Sequence, residues 1–200
     1  MLKVFLIVLS LVGFLASAQD INQIQQTYLK AEHVAQYGAK SEYLQLAELI
    51  KGYPLAPYAE ALYLQRHISL SNRKRIINLL ETYPDAPFNR KLRKKWLNYL
   101  ASRQLRQAFV EHYVDLGDAK LSCLNLTWQL QNGAAKQHIL PQVDALWLHA
   151  FSQPRECNYL FKLWKEAGHL TPDKALQRMT LAAKAKNYRL LPYLKTLVSA

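Results

Sequence analysis

The chain states one pattern twice between residues 41 and 88, and this repeat limits the folds open to it. The first copy reads SEYLQLAELIKGYPLAPY (41–58). The second reads SNRKRIINLLETYPDAPF (71–88), offset by 30 residues with no gap. Tyr53-Pro54 is answered by Tyr83-Pro84, Ala56-Pro57 by Ala86-Pro87, and Tyr58 by Phe88. Upstream, Leu46, Leu49 and Ile50 match Ile76, Leu79 and Leu80, the spacing of one apolar helix face. Each copy therefore reads as a helix ended by Tyr-Pro, a short turn, and Ala-Pro opening the next helix. Proline lacks an N–H and clashes with the preceding turn, so it stops a helix, yet it is tolerated at the first helical position. A helical hairpin recurring every 30-odd residues is the mark of an α-solenoid. Chance likeness of two amphipathic helices accounts for the leucines more easily than for the paired prolines and aromatics.

The first 18 residues read as a secretory leader rather than as part of the fold. Lys3 gives a positive start, residues 4–15 are apolar, and Ala16-Ser17-Ala18 is a small-residue cleavage site, with the cut expected after Ala18. The apolar run is short for a membrane span. The mature chain, residues 19–200, is expected to be soluble, outside the cytoplasm and long enough for one domain with a real core. The formal net charge of +12 raises nucleic acid as a partner, but secretion argues against it. An anionic polymer of the cell envelope fits that compartment better, and a merely solubilising basic surface is the plainer reading. Cys123 and Cys157 stand in an oxidising compartment, where a single disulfide is the natural reading and free buried thiols are the alternative.

In chain order, Ile21, Ile24, Tyr28, Ala31 and Ala35 predict a first helix, with Gly38 as its stop. The two repeat copies follow, with Ser71 a candidate N-cap between them. The second copy leads into the most basic stretch, Arg90, Lys91, Arg93, Lys94 and Lys95. Phe88, Leu92, Trp96, Tyr99 and Leu100 interleave with it at spacings of three and four, so the helix has a basic outer face. That face is either a contact surface for an anionic partner or simply a solvated one. Further helices are expected over 105–114, 119–131, 137–150 (broken or started by Pro141), 157–167, 172–185 and 188–198 (interrupted near Pro192). Thr171-Pro172-Asp173 is a strong helix start: an N-cap, a proline at the first position and an acid in the first turn. No run alternates apolar and polar residues in the manner of a strand. The expected fold is all-α: a right-handed superhelix, or solenoid, of about eleven short helices in hairpin repeats.

The residues point to no catalytic or cofactor chemistry. The six histidines form no pair at metal-ligand spacing, and no glycine-rich phosphate loop or Gly-x-Ser-x-Gly elbow occurs. No glutamate is set in an apolar run that would raise its pKa for acid catalysis. The sequon Asn125-Leu126-Thr127 falls in an expected helix and reads as chance. From residues alone this is a binding or scaffold module, without metal or cofactor.

Several stretches resemble the soluble lytic murein transglycosylases. They are Tyr53-Pro54-Leu55-Ala56-Pro57-Tyr58, then Cys123-Leu124-Asn125 through Trp128 to Asn132-Gly133, then Leu146-Trp147-Leu148 with Ser152-Gln153-Pro154 and Cys157. Leu160-Phe161, Trp164, Gly168, Leu170-Thr171-Pro172, Arg178 and Leu181-Ala182 continue the likeness. The Ser-Gln-Pro-x-x-Cys element with its preceding Trp is the most specific part. The resemblance implies periplasmic enzymes that cut peptidoglycan between N-acetylmuramic acid and N-acetylglucosamine, leaving a 1,6-anhydro end. It also implies a long N-terminal helical superhelix, a lysozyme-like catalytic domain at the C-terminal end, and a bond between Cys123 and Cys157.

The likeness stops short of the chemistry. No glutamate here is followed by serine, the family's catalytic pair, so no catalytic residue is carried over. The chain is expected to match only the superhelical part, truncated before any catalytic domain. Three readings follow. One is a non-catalytic periplasmic module that contacts peptidoglycan or a partner enzyme through Arg90, Lys91, Arg93, Lys94 and Lys95, with no nucleic acid and no membrane once the leader is removed. Another is a tetratricopeptide-like interaction scaffold without affinity for glycan. The third is an active lytic transglycosylase, either with an acid of its own or assembled with a separately encoded catalytic domain.

Overall fold

A computed structural model describes residues 21–198. The expected leader and its expected cleavage after Ala18 lie outside the described residues. Among the described residues every regular element is helical, as the sequence predicts. Two compact units divide between Trp96 and Leu97.

The first unit begins with a helix over 21–37, α1, that buries Tyr28, Ala31, Val34 and Ala35 and leaves Ile21 exposed. It continues with α2 (Lys40–Leu49), α3 (Ala56–Arg66), a 3₁₀ turn (Leu70–Asn72) and α4 (Arg73–Thr82), and enters α5 (Asn89–Ser102). In the first repeat copy the prolines act as expected: α2 ends before Tyr53-Pro54, and Pro57 sits in the first turn of α3. In the second copy Ala86-Pro87 lies in the turn instead, and the helix starts at Asn89. Asn89 explains the delay. Buried, it donates its amide to the carbonyls of Leu80 and Tyr83, both at 2.8 Å, and so closes the C-terminal end of α4. The first copy has Ala59 at the matching position and cannot do this.

The two copies also bury different sectors. α4 buries Ile76, Leu79 and Leu80, as the spacing predicts. α2 buries Tyr43, Leu46 and, just past its end, Ile50, while Leu49 is 67% exposed. Tyr43 turns the sector. Its ring stacks on Tyr63 of α3 at 4.3 Å, and at about 100° per residue the arc through positions 43, 46 and 50 leaves position 49 outside. Tyr58 and Phe88, equivalent in the two copies, meet edge-to-face at 5.2 Å, so the repeat packs on itself. Ser71 lies in the 3₁₀ turn and is not an N-cap. Asn72 precedes α4, and its side chain donates back to the carbonyl of His67 at 2.7 Å.

The second unit comprises α6 (Arg106–His112), α7 (Ala119–Gln131), α8 (Lys136–Ile139), α9 (Val143–Trp147), α10 (Asn158–Glu166), α11 (Pro172–Lys184) and α12 (Leu191–Val198), with 3₁₀ turns at Leu140–Gln142, Arg155–Cys157 and Tyr188–Leu190. Its core gathers Leu126, Val143, Trp147, Leu160, Trp164, Ala182 and Leu194 around the bonded Cys123 and Cys157, whose Cα atoms are 5.0 Å apart. Thr171 caps α11 as the sequence predicts, its hydroxyl accepting from Lys174 N. Asp118 caps α7 in the same way. Pro192 does not interrupt the last helix: it follows Leu191 at the start of α12, where its missing N–H costs nothing. Asp144 ties three helices, accepting from Trp164 Nε1 at 2.6 Å and pairing with Lys174 at 2.7 Å. Asn125 of the sequon is buried.

The disulfide joins α7 to the 3₁₀ turn before α10 across 34 residues. Reducing it, or replacing both cysteines by serine, is expected to lower stability by up to about 4 kcal/mol, because the open loop regains chain entropy. Urea denaturation with and without reductant tests this, and an unchanged midpoint would refute it.

Candidate functional site

The basic stretch forms one side of α5, but its five cations do not share one role. Leu92, Trp96, Leu97 and Leu100 are buried, which turns Arg90, Lys91, Lys94 and Lys95 outward. Arg93 is half-buried, and its Nε donates to Asn89 Oδ1 at 3.3 Å. Burial pushes the Arg93 guanidinium pKa down, partly countered by the charge of Glu81. Lys95, though exposed, donates its ammonium to the carbonyl of Gln65, in the last turn of α3, at 3.0 Å. Arg93 and Lys95 thus serve the hairpin. Arg90, Lys91 and Lys94, adjacent or one turn apart, make up the outer basic face.

A second feature of the first unit is a hollow of about 390 Å³ at the first repeat copy, lined by Tyr43, Ile50, Tyr53, Glu60, Leu79 and Tyr83. Glu60 of α3 reaches α2 and α4 together. It accepts from the Tyr43 hydroxyl at 2.8 Å and takes the Arg75 guanidinium on both oxygens, at 2.9 and 2.8 Å. Arg75 also lies over the Tyr63 ring, 5.0 Å from its centre. Burial works to lower the Arg75 pKa, and the bond to Glu60 and its charge outweigh this, so the net shift is upward. Burial first, then the Glu60 charge and hydrogen bond, pushes the Tyr43 hydroxyl well above the usual tyrosine range. With both oxygens engaged by a cation and a phenol, Glu60 is a clamp between helices.

Sequence reading missed this clamp. Its members lie 15 and 17 residues apart on three helices, and nothing in the repeat marks them: the position matching Arg75 is Gln45, and that matching Glu60 is Arg90. Among the described residues, no group of His, Cys, Asp and Glu is arranged to hold a metal ion, and no helix is long and apolar enough to cross a membrane.

No protein-family model matches the chain. It is 27% identical over 186 residues to the soluble lytic murein transglycosylase of Escherichia coli K12, a match covering 92% of this chain and 28% of that protein. The Salmonella typhimurium protein of the same name is 27% identical over 184 residues, covering 90% and 28%. Among solved structures, the 70 kDa soluble lytic transglycosylase of Escherichia coli superposes with a TM-score of 0.71 at 22% identity, covering 89% of this chain and 31% of that one. An inactive variant of the lytic transglycosylase Slt from Pseudomonas aeruginosa gives 0.70 at 31% identity, covering 86% and 28%. The chain is thus similar to soluble lytic murein transglycosylases over nearly all of its own length, and it spans under a third of theirs.

The clamp makes stability depend on alkaline pH. Unfolded, Tyr43 ionises near pH ~10. Folded, it holds its proton to higher pH. Its contribution is therefore complete below about pH 10 and is lost as pH rises beyond it. Stability followed by thermal melts is expected to fall above pH ~10, with a shallower slope in Tyr43→Phe. Glu60→Gln should cost about 1–3 kcal/mol at neutral pH by leaving Arg75 without its carboxylate. Melts of both variants indistinguishable from the parent would refute the clamp.

Proposed function

We propose that this helical chain is a binding portion of a periplasmic soluble lytic murein transglycosylase, and that it holds peptidoglycan or a partner enzyme rather than cutting the glycan. The observation that carries the reading is the likeness to murein transglycosylases along 92% of the chain. The leader over residues 1–18 supports a periplasmic location. Murein is a net of glycan strands bearing peptide carboxylates, and a basic helix face suits such a polyanion. Arg90, Lys91 and Lys94 of α5 are the outward cations that would meet it. Binding of this kind is long-range and weak per charge, so it depends on several cations acting together and on ionic strength.

One observation favours a scaffold without glycan affinity. Tyr37, Leu49 and Leu70 of the first unit are exposed, at 71%, 67% and 51%, and large apolar side chains of this kind suit a protein partner.

Cosedimentation with isolated sacculi separates these readings. The chain is expected to pellet in low salt and to be released by high salt, with no soluble 1,6-anhydro products by mass spectrometry. Lys91→Glu combined with Lys94→Glu should weaken pelleting by about tenfold while the chain keeps its helical circular-dichroism spectrum. Anhydro products would overturn the non-catalytic reading. Pelleting that ignores both salt and these substitutions would overturn the role of α5.

A further inference from the structure

The second unit holds a cleft of about 550 Å³, within the range of small-molecule sites, to which neither the basic face nor the clamp contributes. Arg178 of α11 is among its lining residues. That side chain is 4% exposed and lies over the Trp147 ring, 4.6 Å from its centre. Its Nε donates to the carbonyl of His149 at 3.1 Å and its Nη2 to that of Phe151 at 3.2 Å. A guanidinium has five N–H donors, so these two bonds leave donor capacity unused. Among the described residues no carboxylate pairs with it. Burial pushes its pKa down, and the only opposing influence is Tyr193. A buried cation without a counter-charge is costly, and a structural role does not require it: amide or hydroxyl donors would hold the two carbonyls as well.

The walls complete an anion site. Lys165 of α10 donates to the Tyr193 hydroxyl at 2.8 Å, which holds the ammonium at the cleft. Lys162 stands one turn back, 3.8 Å from Glu166, the one acid of the lining. Phe161 and Tyr193 supply apolar surface. Ser152 and Gln153, which open the Ser-Gln-Pro-x-x-Cys element, supply a hydroxyl and an amide that bond to no other described side chain or backbone group. The most specific element of the resemblance thus lines the cleft, and the disulfide at Cys157 anchors its far end.

We propose that this cleft binds a carboxylate carried on a small sugar or short peptide, with the acid group on Arg178 and Lys165 and the body against Phe161 and Tyr193. The site stands on the cleft's own residues; only the choice of murein-derived carboxylates as probes rests on the function proposed above. Two sources of the carboxylate are distinguished by titrating the full chain calorimetrically with N-acetylmuramic acid and with N-acetyl-D-alanyl-D-alanine. Neutral N-acetylglucosamine is the control. At least one acid is expected to bind more than tenfold tighter than the control, with the tighter of the two naming the source. Lys165→Gln should weaken that binding at least fivefold at an unchanged melting temperature, and Lys91→Glu should not affect it. Neither acid exceeding the control, or full binding retained by Lys162→Gln with Lys165→Gln, would overturn the proposal. Sacculus pelleting through α5 is a separate readout: its loss with cleft binding intact removes the wall-binding face and leaves the cleft standing.

Discussion

Short helices carry a disproportionate backbone debt, and this fold is arranged around meeting it. The last four carbonyls of any α-helix have no partner within it. In a ten-residue helix such as α2 or α4, that is a large share of the whole. Side chains from elsewhere in the same unit meet the need. Arg66 donates to the Gly38 carbonyl after α1, Lys95 to Gln65 in α3, and Asn89 to Leu80 and Tyr83 at the end of α4. In the second unit Arg178 holds His149 and Phe151, and Asn187 holds Ala150, all just beyond α9. Apolar packing brings the helices together, and these donors satisfy carbonyls at and just beyond their ends.

The same bonds account for part of the basic composition. A lysine or arginine near a helix C-terminus meets both the free carbonyls and the negative end of the helix dipole. Arg66, Lys95 and Arg178 are used in this way, while Arg75 and Lys174 pair with Glu60 and Asp144. The excess of +12 is therefore not all available for a partner. What faces outward on α5 is a smaller set, and Arg178 of the second unit is set apart by its burial.

The sequence made the architecture legible where the signal was local. The Tyr-Pro and Ala-Pro pairs placed the first hairpin, and Thr171-Pro172-Asp173 placed α11, because proline and the N-cap act on the residues beside them. Periodicity failed where a side chain from another helix decided the outcome. Leu49 has the right spacing to be buried and is not, because Tyr43 stacks on Tyr63 and turns α2. Ala86-Pro87 has the right residues to open a helix and does not, because Asn89 closes α4. The clamp and the cleft are both products of tertiary convergence. Glu60 with Arg75, or Arg178 with Lys165 and Tyr193, carry no spacing rule that a single sequence displays. The Ser152-Gln153-Pro154 element was visible as a motif, but its position on the wall of a cleft was not.

The carbonyl bonds have a direction. In each case the donor lies later in the chain than the acceptor: 28 residues later for Arg66 on Gly38, 30 for Lys95 on Gln65, 29 for Arg178 on His149 and 37 for Asn187 on Ala150. That interval is close to one repeat. At these four places a carbonyl at or just past a helix end finds its donor only about one hairpin later in the chain, whereas the end of α4 is closed within nine residues by Asn89. Loss of a later hairpin would therefore open those earlier carbonyls to solvent.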